Sequence, residues 1–94
     1  MEFESDPVKA SANLKKHNVS FEEGASIFGD PMAITFPDPD HSVGEQRWLT
    51  FGLSHTGRLL AVVYTERIGR YRIRYRIIGA RPATKRERTI YEEG

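Results

Sequence analysis

The sequence predicts an α+β domain of order ααββββα: an antiparallel four-stranded meander sheet with helices packed on it. Three observations lead there. Residues 6–29 carry two helix signatures complete with caps. Residues 32–79 switch to short β-branched or alternating runs. The links between those runs are too short for crossover connections, so successive strands should pair antiparallel. With 94 residues, the chain (1–94) is read as a single domain with one modest core.

Phe3 can start a short strand. Asp6 is a good N-cap, because its carboxylate can accept from the first free amides, and Pro7 suits the first helical position. Ala10, Asn13, Leu14 and His17 then recur on one helical face, and Asn18 tolerates the left-handed conformation that closes a helix. Ser20 with Glu23 predicts a capping box for a second helix, whose inward stripe is Phe21, Gly24, Ala25 and Phe28. Gly29 ends it, and Asp30 and Pro31 turn the chain.

Residues 32–36 and 47–53 read as strands, separated by a proline-rich acidic loop. Residues 59–67 are apolar on both faces, which predicts a central strand covered on both sides. Gly69 marks a turn. Residues 70–79 alternate, with Arg70, Arg72, Arg74 and Arg76 on one side and Tyr71, Ile73, Tyr75 and Ile77 on the other. A strand would place successive arginines roughly 6 to 7 Å apart, close to the spacing of phosphates along a nucleic acid. Pro82 stops the strand, and Thr84 with Glu87 forms a capping box for a last helix running through Ile90 and Tyr91.

The net charge of +1 conceals a polarised chain. Residues 1–46 hold three lysines, no arginine and nine acids, whereas residues 47–94 hold ten arginines, one lysine and four acids. The basic half suits a polyanion or an acidic protein, or the two halves pair with each other. There is no cysteine, which excludes disulfides and thiolate chemistry. MEFESD is acidic and lacks an apolar core, so no secretory signal is expected, and no apolar run reaches membrane-spanning length. A cytoplasmic location is the expectation.

Several groups have side chains suited to chemistry. In GEQRW, Glu45 and Arg47 share one side of a strand start, an arrangement that serves proton transfer with anion binding, or a plain surface ion pair. Trp48 is a core residue or a stacking surface for a base. His17 beside Lys16 is a plausible acid or base at a helix C-terminus, or a satisfied structural histidine. The arginine row is a nucleic-acid contact or a solvated face. Asp38, Asp40 and His41 lack metal-ligand spacing, and no phosphate-cradling glycine loop or nucleophile motif is present, so no metal and no cofactor are expected.

Taken together, FESDPVKASANLKKHNVSFEEG, GEQRW, GRLLAVVYTER and RIIGARPATKRERTIYEE occur in the order seen in BrnT-type toxins. The opening resembles that family's FEWDPxKxxxNxxKHGVSFEEA, and the end resembles RIISARxAxxxERxxYE. The resemblance implies a RelE-like fold and the toxin of a type II toxin–antitoxin pair. It implies a metal-independent endoribonuclease that cuts RNA to inhibit translation and growth. A BrnA-like antitoxin would neutralise it, in a possible heterotetramer that reaches promoter DNA only through the antitoxin. No membrane is involved. Lys16, His17, Glu45, Arg47, Arg67 and Arg81 match the family's polar positions and would carry catalysis, with Glu45 or His17 as acid–base groups and the arginines on the phosphate. Trp48, Arg70, Arg72, Arg74 and Arg76 would bind RNA. Ser5 stands where the family has Trp, Asn18 where it has Gly, and the link from Arg67 to Arg76 is longer than usual. A non-catalytic RNA- or protein-binding module on the same scaffold is the alternative.

Overall fold

The computed structural model describes residues 2–38 and 46–94; Asp40, His41 and Glu45 lie outside the described residues. In chain order come β1 (Glu2–Ser5), α1 (Pro7–His17), α2 (Phe21–Ser26), β2 (Ile34–Pro37), β3 (Arg47–Leu53), β4 (Leu59–Ile68), β5 (Ile73–Pro82) and α3 (Lys85–Glu93). The strands build a five-stranded sheet ordered β1-β5-β4-β3-β2. β2 to β5 form the expected antiparallel meander, but β1 adds in parallel to β5, so the sheet is mixed and not a four-stranded antiparallel one. Four residues with one large apolar side chain are too few to display a period of two. Phe3 is that side chain, and it joins an aromatic cluster with Phe28 and Tyr75, at ring separations of 5.2 and 5.9 Å.

The caps form largely as their chemistry dictates. Asp6 accepts from the Val8 amide at 2.8 Å, and Asn18 closes α1 at φ 56° and ψ 36°. Thr84 and Glu87 make a full capping box on α3. The Ser20–Glu23 box is only half made. Ser20 Oγ accepts from the Glu23 amide, but the Glu23 carboxylate turns inward. It accepts from Ser54, Thr56 and Arg58 at 2.7, 2.7 and 2.9 Å. Arg58 also donates to Asn18 O at 3.0 Å, so one buried carboxylate ties the β3–β4 turn to the ends of α1 and α2.

α1 and α2 pack on one face of the sheet over a core of Val19, Phe21, Ile27, Leu60, Val62, Tyr64, Ile77 and Ala80. Gly24 permits the close approach, since a Cβ there would lie 3.0 Å from that of Ala80. Leu14 stays half exposed, and the inward contact of α1 is made by Asn13. Its Nδ2 donates to Val19 O (2.9 Å) and Ala80 O (2.8 Å), and its Oδ1 accepts from the Ala80 amide (3.1 Å). β1 stops at Ser5, opposite Ile77, so Asn13 takes over the β5 edge where the strand partner has ended.

α3 does not join α1 and α2. Its Glu87 engages Arg81, which pairs with Ala61, on the face opposite Val62 and Ala80. α3 thus crosses the lateral row Ile34, Phe51, Ala61, Arg81 and covers the far side of the sheet at one end. Tyr91 Oη donates to Asp30 Oδ2 at 2.7 Å and fastens it to the β2 approach. That carboxylate pushes the Tyr91 hydroxyl up to about 12.

Replacing Asn13 by Ala leaves three backbone groups without partners and should cost ~2 kcal/mol in urea denaturation. Glu23→Ala should cost a similar ~2 kcal/mol, because Arg58, Ser54 and Thr56 lose their shared acceptor. The hydrogen bonds from Arg58, Thr56 and Ser54 lower the Glu23 carboxyl from 4.5 to about 2. Its stabilisation is therefore complete above the unfolded value of 4.5 and is lost as pH falls towards about 2. An acid titration of the urea midpoint should show that loss in the wild type and a flatter response in Glu23→Gln.

Candidate nucleic-acid interface

On the far face, beyond the cover of α3, strand register sets out three lateral rows. The first is apolar: Phe36, Leu49, Val63 and Gly79. The second is Arg47, Thr65, Arg76 and Glu4. The third, at the open end, is Arg67, Arg74 and Glu2. Laterally paired residues point to the same side, so Arg47, Arg67, Arg74 and Arg76 share one basic surface with an apolar floor beside it.

The middle row has the most unusual environment. Arg47 and Arg76 flank Thr65 on either side, with their Cα atoms about 10 Å apart across two strand spacings. Thr65 is 2% exposed, yet its hydroxyl has no hydrogen-bond partner among the described residues. Among the described residues no carboxylate lies within ion-pair distance of Arg47 or Arg76. Two uncompensated guanidinium groups around an unmet hydroxyl favour an anion, since each fork offers parallel donors to phosphate oxygens. The outer row is partly compensated. Glu2 accepts from Arg72 at 3.1 Å and from Arg74 at 3.2 Å, and Glu4 lies 3.9 Å from Arg67. Such exposed pairs contribute little and can exchange for phosphates.

The arginine row expected over residues 70–79 is divided. β5 begins at Ile73, so only Arg74 and Arg76 stand on the strand. Arg70 and Arg72 lie in the tip of the hairpin, closed by Gly69 N–H donating to Arg72 O at 2.7 Å. Arg70 sits over the exposed Tyr71 ring, 5.5 Å from its centre. The glycine that reverses the chain takes three more residues than strict alternation suggests.

The expected catalytic residues fall in different places. Lys16 and His17 end α1, on the other face, beside the turn that Arg58 ties to Asn18. From Leu59 to Arg67, β4 spans about 26 Å, so the Arg58–Asn18 contact beside His17 and the Arg67 position lie towards opposite ends of that strand. Arg81 shares the far face, but Glu87 fills its fork at 2.6 and 2.9 Å. That contact holds the Glu87 carboxyl below its usual range and raises Arg81. Trp48 points to the α1–α2 side and packs against the core, with its Nε1 buried and unpartnered. Glu45 lies outside the described residues, two positions before Arg47 in the sequence. The pairing of Arg47 with Arg76 through Thr65 had no local signal. The nearest clue was the polar run Thr65, Glu66, Arg67 ending an otherwise apolar strand.

The chain was compared with known proteins. A family model described as the ribonuclease toxin BrnT of type II toxin–antitoxin systems matches residues 6–87. Among solved structures, the chain is similar to the crystal structure of the Brucella abortus ribonuclease toxin, BrnT, with a TM-score of 0.66 and 21% identity over 90% of this chain and 99% of that one. At that identity the structural likeness is one of fold. Comparison with curated proteins gives no match.

Arg47→Ala and Arg76→Ala should each weaken single-stranded RNA binding and reduce the slope of log affinity against log salt by ~0.7. Arg81→Ala should act on folding instead. A double-mutant cycle with Glu87→Ala should give a coupling of ~1 kcal/mol in thermal unfolding.

Proposed function

Because the chain belongs to the family of BrnT ribonuclease toxins of type II toxin–antitoxin systems, we propose that it is a metal-independent endoribonuclease acting in the cytoplasm. It cuts RNA, halts translation and growth, and is held inactive by a BrnA-like antitoxin. The same reading makes the fold a RelE-like one and places RNA on the far face of the sheet. The observation that carries it is the pair of guanidinium groups of Arg47 and Arg76, uncompensated among the described residues, around the buried Thr65 hydroxyl that no described residue partners.

The reaction needs no water and no metal in its first step. The ribose 2′-hydroxyl loses its proton to a base and attacks the adjacent phosphorus. The P–O5′ bond breaks, and the leaving oxygen takes a proton. The products are a 2′,3′-cyclic phosphate and a free 5′-hydroxyl. Negative charge grows on the non-bridging oxygens in the transition state, so fixed cations there lower the barrier. Arg47 and Arg76 supply that stabilisation, and Arg67 and Arg74 hold the flanking phosphates. Glu45 is the base in this scheme. This scheme assigns no step to His17 and Lys16, which end α1 on the other face of the sheet.

The purified chain should cleave single-stranded RNA in excess EDTA, and a 2′-deoxy substitution at the scissile nucleotide should block the cut. Arg76→Ala should lower kcat/KM by ~100-fold with the fold retained. Cleavage that stops in EDTA and returns with Mg²⁺ would overturn the metal-independent scheme. Expression should arrest growth, and co-expression of a BrnA-like antitoxin should relieve the arrest.

A further inference from the structure

Thr35, Trp48, Tyr64, Glu66 and Tyr75 line a cleft of about 270 Å³ on the α1–α2 side of the sheet. Sites for drug-sized ligands begin at ~300 Å³, so this cleft suits one planar ring system. Its walls are fixed. Tyr64 Oη shares a 2.8 Å hydrogen bond with Thr50 Oγ1, which shares another of 2.8 Å with Thr35 Oγ1. Tyr64 stands perpendicular to both Phe28 and Tyr75, with ring centres 5.0 and 5.4 Å away.

Glu66 is the anomalous member. It lies in the half of the chain that carries ten arginines and Lys85, yet no cation among the described residues pairs with it. In α3, by contrast, Glu87 is engaged by Arg81 and Glu92 by Arg88. Glu66 is half-buried beside Tyr75, whose hydroxyl is raised by burial first and by the Glu66 charge second. A carboxylate in an aromatic cleft offers two acceptors in one plane. Guanine alone presents two donors side by side on its pairing edge, N1–H and N2–H. Adenine and cytosine put a ring acceptor at that position, and uracil has one donor between two carbonyls.

The strand ends supply a route between the two faces. β3 begins at Arg47, opposite Thr65, so Glu66, Arg67 and Ile68 continue beyond it paired only with β5 among the described residues. Arg47 and Arg67 flank this step on the far face, and Trp48 and Glu66, their chain neighbours, flank it on the near face.

We propose that this cleft receives a guanine base of a single-stranded RNA, with Glu66 accepting from N1–H and N2–H while the phosphates of the same strand lie on Arg47 and Arg76. The inference takes its substrate class from the ribonuclease reading above. It adds a base preference and a positioning surface separate from the phosphate contacts.

The test is calorimetric titration of the full chain with 3′-GMP, 3′-AMP, 3′-CMP and 3′-UMP, repeated on Glu66→Gln. The wild type should bind 3′-GMP ~10-fold or more tighter than 3′-AMP. Glu66→Gln sets an amide N–H₂ against the guanine donors, so it should bring 3′-GMP down to the 3′-AMP level. The Trp48 indole N–H resonance should shift on 3′-GMP addition and confirm where the base sits. Equal affinity for the four nucleotides, or a guanine preference retained in Glu66→Gln, overturns the proposal. Preference for choline over 3′-GMP also overturns it, by making the cleft a cation cage. RNA cleavage with no nucleotide discrimination would remove this inference and leave the ribonuclease reading intact. Discrimination by a chain that does not cleave RNA would do the reverse.

Discussion

The layout of both faces depends on one irregularity in the β4–β5 ladder. Tyr64 pairs with Ile77 and Val63 with Gly79, so β5 carries one residue, Ile78, with no counterpart. In a regular strand, residues an odd number apart face opposite ways. The bulge cancels that rule here. Ile77 and Ala80 both reach the helix-side core, and Arg76 and Arg81 both reach the far side. A ladder without it would send either the core residues or the arginines to the wrong face. Asn13 lies just beyond the bulge and bonds both the amide and the carbonyl of Ala80, so a helix side chain holds the strand where its regular partner has ended.

The bulge also divides the labour of the arginines. Beyond it, Arg81 is closed into an ion pair with Glu87 and serves to seat α3. Before it, Arg76 lies across Thr65 from Arg47 and has no carboxylate partner among the described residues. The acidic first strand tempers the outer arginines through Glu2 and Glu4 but forms no ion pair with this central pair. Pairing between the acidic and basic halves is therefore partial. The ion pairs between the halves include those of Glu2, Glu4 and Glu23.

The same logic explains why Glu23 and Glu66 have different fates. Glu23 is buried where four donors from the β3–β4 turn converge, which is the condition for keeping a charge inside a protein. Glu66 is half-buried with aromatic neighbours, and among the described residues no cation pairs with it, which leaves its acceptors for something outside the chain. Which carboxylate is structural and which is available follows from the donors that tertiary packing delivers.

Much of the fold was legible because its signals are local. Asp6, Asn18, Ser20 and Thr84 mark helix ends through bonds to backbone groups two to four residues away, and β3 and β4 announce themselves by composition. The motif order in the sequence likewise carried the family. What remained hidden is non-local. β1 joins β5 from the opposite end of the chain, the Glu23 carboxylate leaves its cap for Arg58, and the bulge at Ile78 shifts parity midway through an alternating run. The candidate site was legible as a set of residue types and not as a place. Lys16, His17, Arg47, Arg67 and Arg81 are polar positions in one dimension, whereas Thr65 between Arg47 and Arg76 exists only through register. Sequence determined the elements and the chemistry available to them, because caps, periods and charges act over a few residues; tertiary structure decided which charges meet, because strand pairing alone brings distant positions to one face.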